Sequence, residues 1–260
     1  MTNIADVAES TLAARPETPV SSHREAWNAD AGFYLTMSVV SAVIIFAGFA
    51  PSFYLKSVIH APPPLSFLTV THGLVFTAWM ILFVTQAALI AAGRPAPHRQ
   101  LGIIGAILFG AMISLAISTS ITAGRLGHAP PGAPPPLTFM ALPLMAITAT
   151  TALVGAALWN RRRPDWHKRL MLASVFTLTG PATGRIAIPL GFASQATPIL
   201  LAGVDLLLVI AMAKDLLGRK RIHPAYLTAA AVIVVLHVGV FWAYGSGGWL
   251  SFAKAITRGA

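Results

Sequence analysis

FLTVTHGLVFTAWMILFVTQAALIAA, residues 67–92, decides what kind of protein this is. Its 26 consecutive positions hold no Asp, Glu, Lys or Arg, and His72 is the one ionisable side chain. A bilayer core about 30 Å thick takes roughly 20 apolar residues as a helix, so this run is long enough to cross it. Similar runs lie at about 32–55, 101–122, 138–159, 169–191, 198–217 and 225–245. Of the 260 residues 56% are hydrophobic and 10% charged, with mean hydropathy +0.72. A soluble domain carries about 25% charged residues. The chain reads as an all-α, polytopic membrane bundle of about seven transmembrane helices. Within the quoted stretch, His72, Phe76, Trp79, Phe83 and Gln86 recur every three or four residues and form one stripe expected to face the core.

The net charge of +10 invites a nucleic-acid partner, but the distribution of charge speaks for a membrane instead. Eleven Lys and Arg residues fall in the 2–3, 4–5 and 6–7 connections: Arg94 and Arg99, then Arg161, Arg162, Arg163, Lys168 and Arg169, then Lys214, Arg219, Lys220 and Arg221. The other connections hold only Lys56 and Arg125. Basic residues stay on the cytoplasmic side, which predicts a bacterial-type cytoplasmic (inner) membrane, N-terminus inside and C-terminus outside. Membrane lipid is the expected partner, with other membrane subunits or a second copy of the chain as candidates. Residues 1–30, with five acids against two arginines, read as a polar cytoplasmic tail, 31–248 as the membrane domain and 249–260 as a short C-terminal tail. No cysteine is present, so disulfides, thiolate metal sites and Cys-ligated iron–sulfur clusters are excluded. Gly180-Pro181, Gly184 and Pro189 mark span 5 as the one able to bend or break.

One phrase occurs twice on the outer side. His60-Ala-Pro-Pro-Pro-Leu-Ser-Phe67 precedes span 2, while His128-Ala-Pro-Pro131 and then Pro134-Pro-Pro-Leu-Thr-Phe139 precede span 4. On the inner side, Pro97-His98-Arg99-Gln100-Leu101 opens span 3, and Trp166-His167-Lys168-Arg169-Leu170 opens span 5. Spans 2–3 and 4–5 therefore read as one duplicated hairpin, over about 60–122 and 128–191, with a fainter copy over 198–245 at Arg221-Ile-His223-Pro224. His98, His167 and His223 are expected as interfacial anchors; a cytoplasmic histidine cluster is the rival.

His72, Arg185, Asp205 and His237 interrupt apolar spans, and with about 1.5 Å per residue all four fall within about 5 Å of one depth, near the outer leaflet. An ionised Arg or Asp at a helix centre costs at least ~2.5–3.5 kcal/mol, so such groups mark function or buried pairing. An Arg185–Asp205 ion pair between spans 5 and 6 is expected. Three chemistries suit the cluster: one b-type haem with His72 and His237 as axial ligands and Arg185 on a propionate, oriented by Asp205; a divalent metal on His72, Asp205 and His237; or a protonatable relay in a small-solute or proton-coupled transporter. A non-catalytic accessory subunit, in which the ion pair is only structural, is the bland alternative. A rhodopsin is excluded because span 7 has no lysine.

His72-Gly73…Trp79…Gln86…His98-Arg99-x-Leu101-Gly102, then His167-x-Arg169-Leu170-Met171, Arg185 and Asp205, resembles a group of uncharacterised bacterial polytopic membrane proteins across most of residues 60–225. The His-Gly…Trp and His-Arg phrases are also distantly similar to transmembrane b-type cytochromes that reduce iron or ascorbyl radical. That likeness implies haem histidines in pairs on four consecutive helices; span 4 has no histidine, so at most one haem is supported, through His72 and His237.

Overall fold

The computed structural model describes residues 20–59 and 64–258, with side chains from residue 30 onward. No strand occurs among the described residues. Seven long helices follow one another: α1 (Val20–Phe49), α2 (Phe67–Ala91), α3 (Pro95–Arg125), α4 (Ala141–Trp159), α5 (Pro164–Ala187), α6 (Ala196–Arg219) and α7 (Pro224–Gly245); a shorter α8 (Gly247–Arg258) ends the chain. Their starts are written locally. Proline opens α3, α5 and α7, where the missing N–H and fixed φ are harmless. Ser66 caps α2 by accepting from the Thr69 N–H at 3.2 Å. Most of the polar tail expected over 1–30 lies outside the described residues, but its last part, from Val20, is already helical.

Successive helices run in opposite directions, and two sets of contacts show it. Asp30 of α1, Lys168 of α5 and Lys214 of α6 meet at one end. At the other end Phe49, His72, Ser120, Arg185 and Thr197 line one cavity. Helix α5 therefore traverses the bundle, unbroken from Pro164 to Ala187 although Pro181 lies within it. Hydroxyl groups bond back to carbonyls on both sides of the proline, Thr177 to Ser174 at 2.7 Å and Thr183 to Gly180 at 2.8 Å, as polar side chains do where a helix loses regular bonds.

Among the described residues six segments are long and apolar enough to cross a membrane: α1, α2, α3, α4 with the helical turn Pro136–Phe139 before it, α6 and α7. The chain is an all-α polytopic membrane bundle. Helix α5 falls short of that apolarity because it is enclosed by α1, α4, α6 and α7 and need not face lipid. Its inward residues include Arg169, Ser174, Thr177 and Thr179, all buried. Polar side chains in a span are tolerated when they face the bundle interior. The outer helices instead expose Ile103, Ile107, Val235 and Leu217, side chains suited to hydrocarbon. The stripe on α2 faces inward as expected: Trp79 is 5% exposed and packs on Phe109, ring centroids 5.0 Å apart.

The C-terminal residues add an element the sequence reading passed over as a tail. Trp249 and Ala253 of α8 are buried, while Lys254 and Arg258 are exposed. The Trp249 Nε1–H donates to the Leu137 carbonyl at 2.9 Å, fastening this amphipathic helix beside α3 and α7.

The tightest crossing is α1 on α5. A Cβ on Gly48 would stand 2.5 Å from the Ala182 carbonyl oxygen and 2.6 Å from its Cα, backbone atoms that cannot step aside. Gly110 on α3 has nothing within 4 Å. Gly48→Ala should therefore destabilise the detergent-solubilised protein by about 1–3 kcal/mol through overpacking, whereas Gly110→Ala should be neutral or stabilising by up to about 1 kcal/mol. Thermal unfolding of the two variants checks this; equal melting temperatures would contradict the close crossing.

Candidate functional site

Helix α1 ends in a turn of π-helix, Ala50–Tyr54, initiated at Pro51. Its Phe53 ring occupies the place where a Cβ of Gly73 would be, which explains the glycine beside His72: without it α2 could not approach. The Tyr54 hydroxyl and the Thr77 Oγ1 hydrogen-bond at 2.6 Å across the same joint. Behind this joint lies a cavity of about 450 Å³ between α1, α2, α3, α4, α5 and α6, bordered by Leu65 and by Pro130, Pro131 and Ala133 of the α3–α4 connection. Ligand pockets typically span about 300–1,000 Å³.

Two of the four residues singled out from sequence line this cavity, His72 and Arg185. The His72 ring stacks on Phe76, centroids 4.2 Å apart. Its Nδ1 is buried without a partner, as is Thr119 Oγ1 on the same wall. Arg185 donates from Nη1 to the Pro181 carbonyl at 3.0 Å and lies over the Phe49 ring, 4.3 Å from its centroid. No carboxylate among the described residues pairs with it.

The other two form a separate pair. Asp205 on α6 is half exposed, with Oδ2 3.7 Å from Nδ1 of His237 on α7. The expected Arg185–Asp205 ion pair is thus not made. The buried arc of α6 runs through Leu200, Leu201, Val204, Leu207, Leu208 and Ala211, and Asp205 stands just past its edge. Beside Arg185, Gly184 of α5 meets α6 at Ala196 and Leu200, five or more residues before Asp205, and the rotation of α6 turns Asp205 from α5 toward α7. Neither Asp205 nor His237 lines the cavity. Among the described residues no three His or acidic side chains stand together as a metal site, so the His72–Asp205–His237 triad weighed from sequence does not assemble.

The opposite end carries a network that sequence reasoning missed. Arg169 and Asp215, both 0% exposed, form a two-pronged pair with Nε–Oδ2 at 2.8 Å and Nη2–Oδ1 at 2.7 Å. Nη1 of Arg169 donates to the Asp165 carbonyl at 2.8 Å, and its guanidinium sits 5.6 Å from the Tyr226 ring centroid. Asp30 takes Lys168 at 2.5 Å and Lys214 on its other oxygen. Four acids follow residue 29, and three of them, Asp30, Asp165 and Asp215, are here. Read as a topology signal, Lys168, Arg169 and Lys214 were counted as loop cations; the acids beside them were the clue to pairing. His98 and His167 each turn Nδ1 to a carbonyl of the preceding helix, Gln86 at 3.3 Å and Ala157 at 2.9 Å, with ring centroids 6.3 Å apart. His223 stands apart against Trp166 and caps α7. His128 is exposed, and His60 lies outside the described residues.

Compared with known protein families, with curated proteins and with solved structures, the chain finds no match in any of the three.

Breaking a fully buried ion pair strands a charge, at about 3–5 kcal/mol. Asp215→Ala should therefore lower thermal stability severely, while Asp165→Asn, on a side chain 53% exposed, should cost about 1 kcal/mol or less. Melting curves of the purified variants test the ranking; a mild Asp215→Ala would show that Arg169 is not held by this pair.

Proposed function

We propose that this protein is a small-solute carrier of a bacterial-type cytoplasmic membrane, with the His72–Arg185 cavity as its binding site and the N-terminus inside. The observation that carries this reading is Arg185: a guanidinium on the wall of an intramembrane cavity, without a protein carboxylate among the described residues. Placing such a group in the membrane costs at least ~2.5–3.5 kcal/mol. Asp215 offsets that cost for Arg169; for Arg185 the Pro181 carbonyl and the Phe49 ring offset part of it, and an anion entering the cavity would supply the neutralising charge. The orientation rests on the eleven Lys and Arg residues gathered in the connections and helix ends at the opposite end, which puts the cavity in the outer half.

The absence of native cysteine makes the test clean, since an introduced thiol is the only one in the chain. Thr119→Cys, on the cavity wall, should react with a charged, membrane-impermeant methanethiosulfonate added to the outside of intact cells. Ile107→Cys, 72% exposed on the lipid-facing flank of α3, should stay unlabelled. Equal labelling of the two would overturn the water-accessible cavity, and labelling of Thr119→Cys from the inside alone would invert the orientation.

A second reading places one b-type haem in the same cavity, favoured by the unpaired Nδ1 of His72 with Arg185 near enough to share the wall. The residues do not fit ligation by two histidines in this cavity, because His237 lines no part of it; its Nδ1 faces Asp205 and its Nε2 is buried without a partner elsewhere. As a carrier, the protein purified after expression with ample haem should show no haem absorbance. A haem band lost in His72→Ala and kept in His237→Ala would move the assignment to a haem held by His72.

A further inference from the structure

Resting on the reading of this cavity as a solute site, we infer that its ligand is a monocarboxylate with an apolar body. Among the described residues Arg185 is the one permanently charged group on the wall, so one negative charge is matched and a second would enter hydrocarbon unpaired. Its geometry selects the shape of that charge. The Phe49 ring covers the guanidinium face, and Nη1 is already committed to the Pro181 carbonyl. Cation–π contact leaves the in-plane N–H donors free, and two parallel N–H groups on one edge match the two oxygens of a planar carboxylate. Thr119 Oγ1, buried and unpartnered on the same wall, can donate to a carboxylate oxygen.

Beyond Arg185, Thr119 and the His72 ring, the cavity is mostly apolar, lined by Phe53, Phe76, Met80, Ile147, Leu178 and Leu200, and the hydroxyls of Tyr54, Thr77, Ser120 and Thr177 on its wall are already hydrogen-bonded within the protein. A hydrophilic acid would lose hydration against these side chains without replacement bonds, whereas an apolar tail gains from their contact. A carboxylate on an aromatic or aliphatic body satisfies both halves. Such a compound can arrive from water or, as a fatty acid, from the bilayer, and the choice of probes separates the two.

Calorimetric titration of the full-length protein in detergent tests this with benzoate, octanoate and benzamide, the last being the uncharged counterpart of benzoate. Wild type should bind an acid, and benzamide should bind about 10- to 100-fold more weakly than benzoate, the loss expected for a charged hydrogen-bonding partner. A preference for benzoate indicates a water-borne acid, and one for octanoate a lipid-derived acid. Arg185→Gln should remove the difference between acid and amide, Arg185→Lys should restore part of it, and His237→Ala should leave it unchanged. Because the acid–amide comparison is made on wild type, it stands even where a variant fails to fold. Equal binding of benzoate and benzamide would overturn the carboxylate assignment and leave the solute cavity in place. Failure of all three compounds to bind, together with an unlabelled Thr119→Cys, would overturn both.

Discussion

Arg169 has no exposed surface, yet all three of its guanidinium nitrogens are occupied by Asp215 and Asp165. This junction lets the bundle keep a polar helix at its centre. Helix α5 begins at the charged end with Asp165, Lys168 and Arg169 and runs past α1, α4, α6 and α7 before reaching the cavity. Unpaired, a buried guanidinium would cost several kcal/mol; paired on two sides, it ties the start of α5 to the end of α6. The Asp30 contacts with Lys168 and Lys214 then draw in α1. Three helices are registered at one end by ionic groups, and apolar packing with close glycine approaches such as Gly48 on Ala182 carries that register along the bundle.

The two ends of α5 are opposites in chemistry. At the charged end every described acid has a basic partner and the arginine within is saturated. At the cavity end Arg185 has a carbonyl and an aromatic face but no carboxylate among the described residues, and His72 and Thr119 each keep an unused polar atom. One helix thus carries two arginines inside the bundle, one fully buried and satisfied by the protein itself, one partly buried with donors left over. The first kind of arrangement builds a fold; the second is the one proposed to take a ligand. The π-helical turn at Ala50–Tyr54, with Phe53 seated on Gly73, lies on the wall of the latter.

Much of this was written in composition and period. Apolar runs of bilayer length, separated by basic and proline-rich connections, dictate a helical membrane bundle because a backbone in hydrocarbon must bond to itself. Proline and Ser66 mark helix starts, and the His72–Gln86 stripe marks the inward face of α2. That His72 and Arg185 come together inside the bundle was legible as well, since charge in an apolar run is expensive wherever it falls. Depth along a helix can be counted in residues. Rotation about its axis cannot, because it depends on which neighbours each helix meets. Tertiary packing therefore separated Asp205 and His237 from the cavity, left Arg185 without the expected carboxylate, and paired Arg169 with Asp215, 46 residues away, where sequence spacing carries no information.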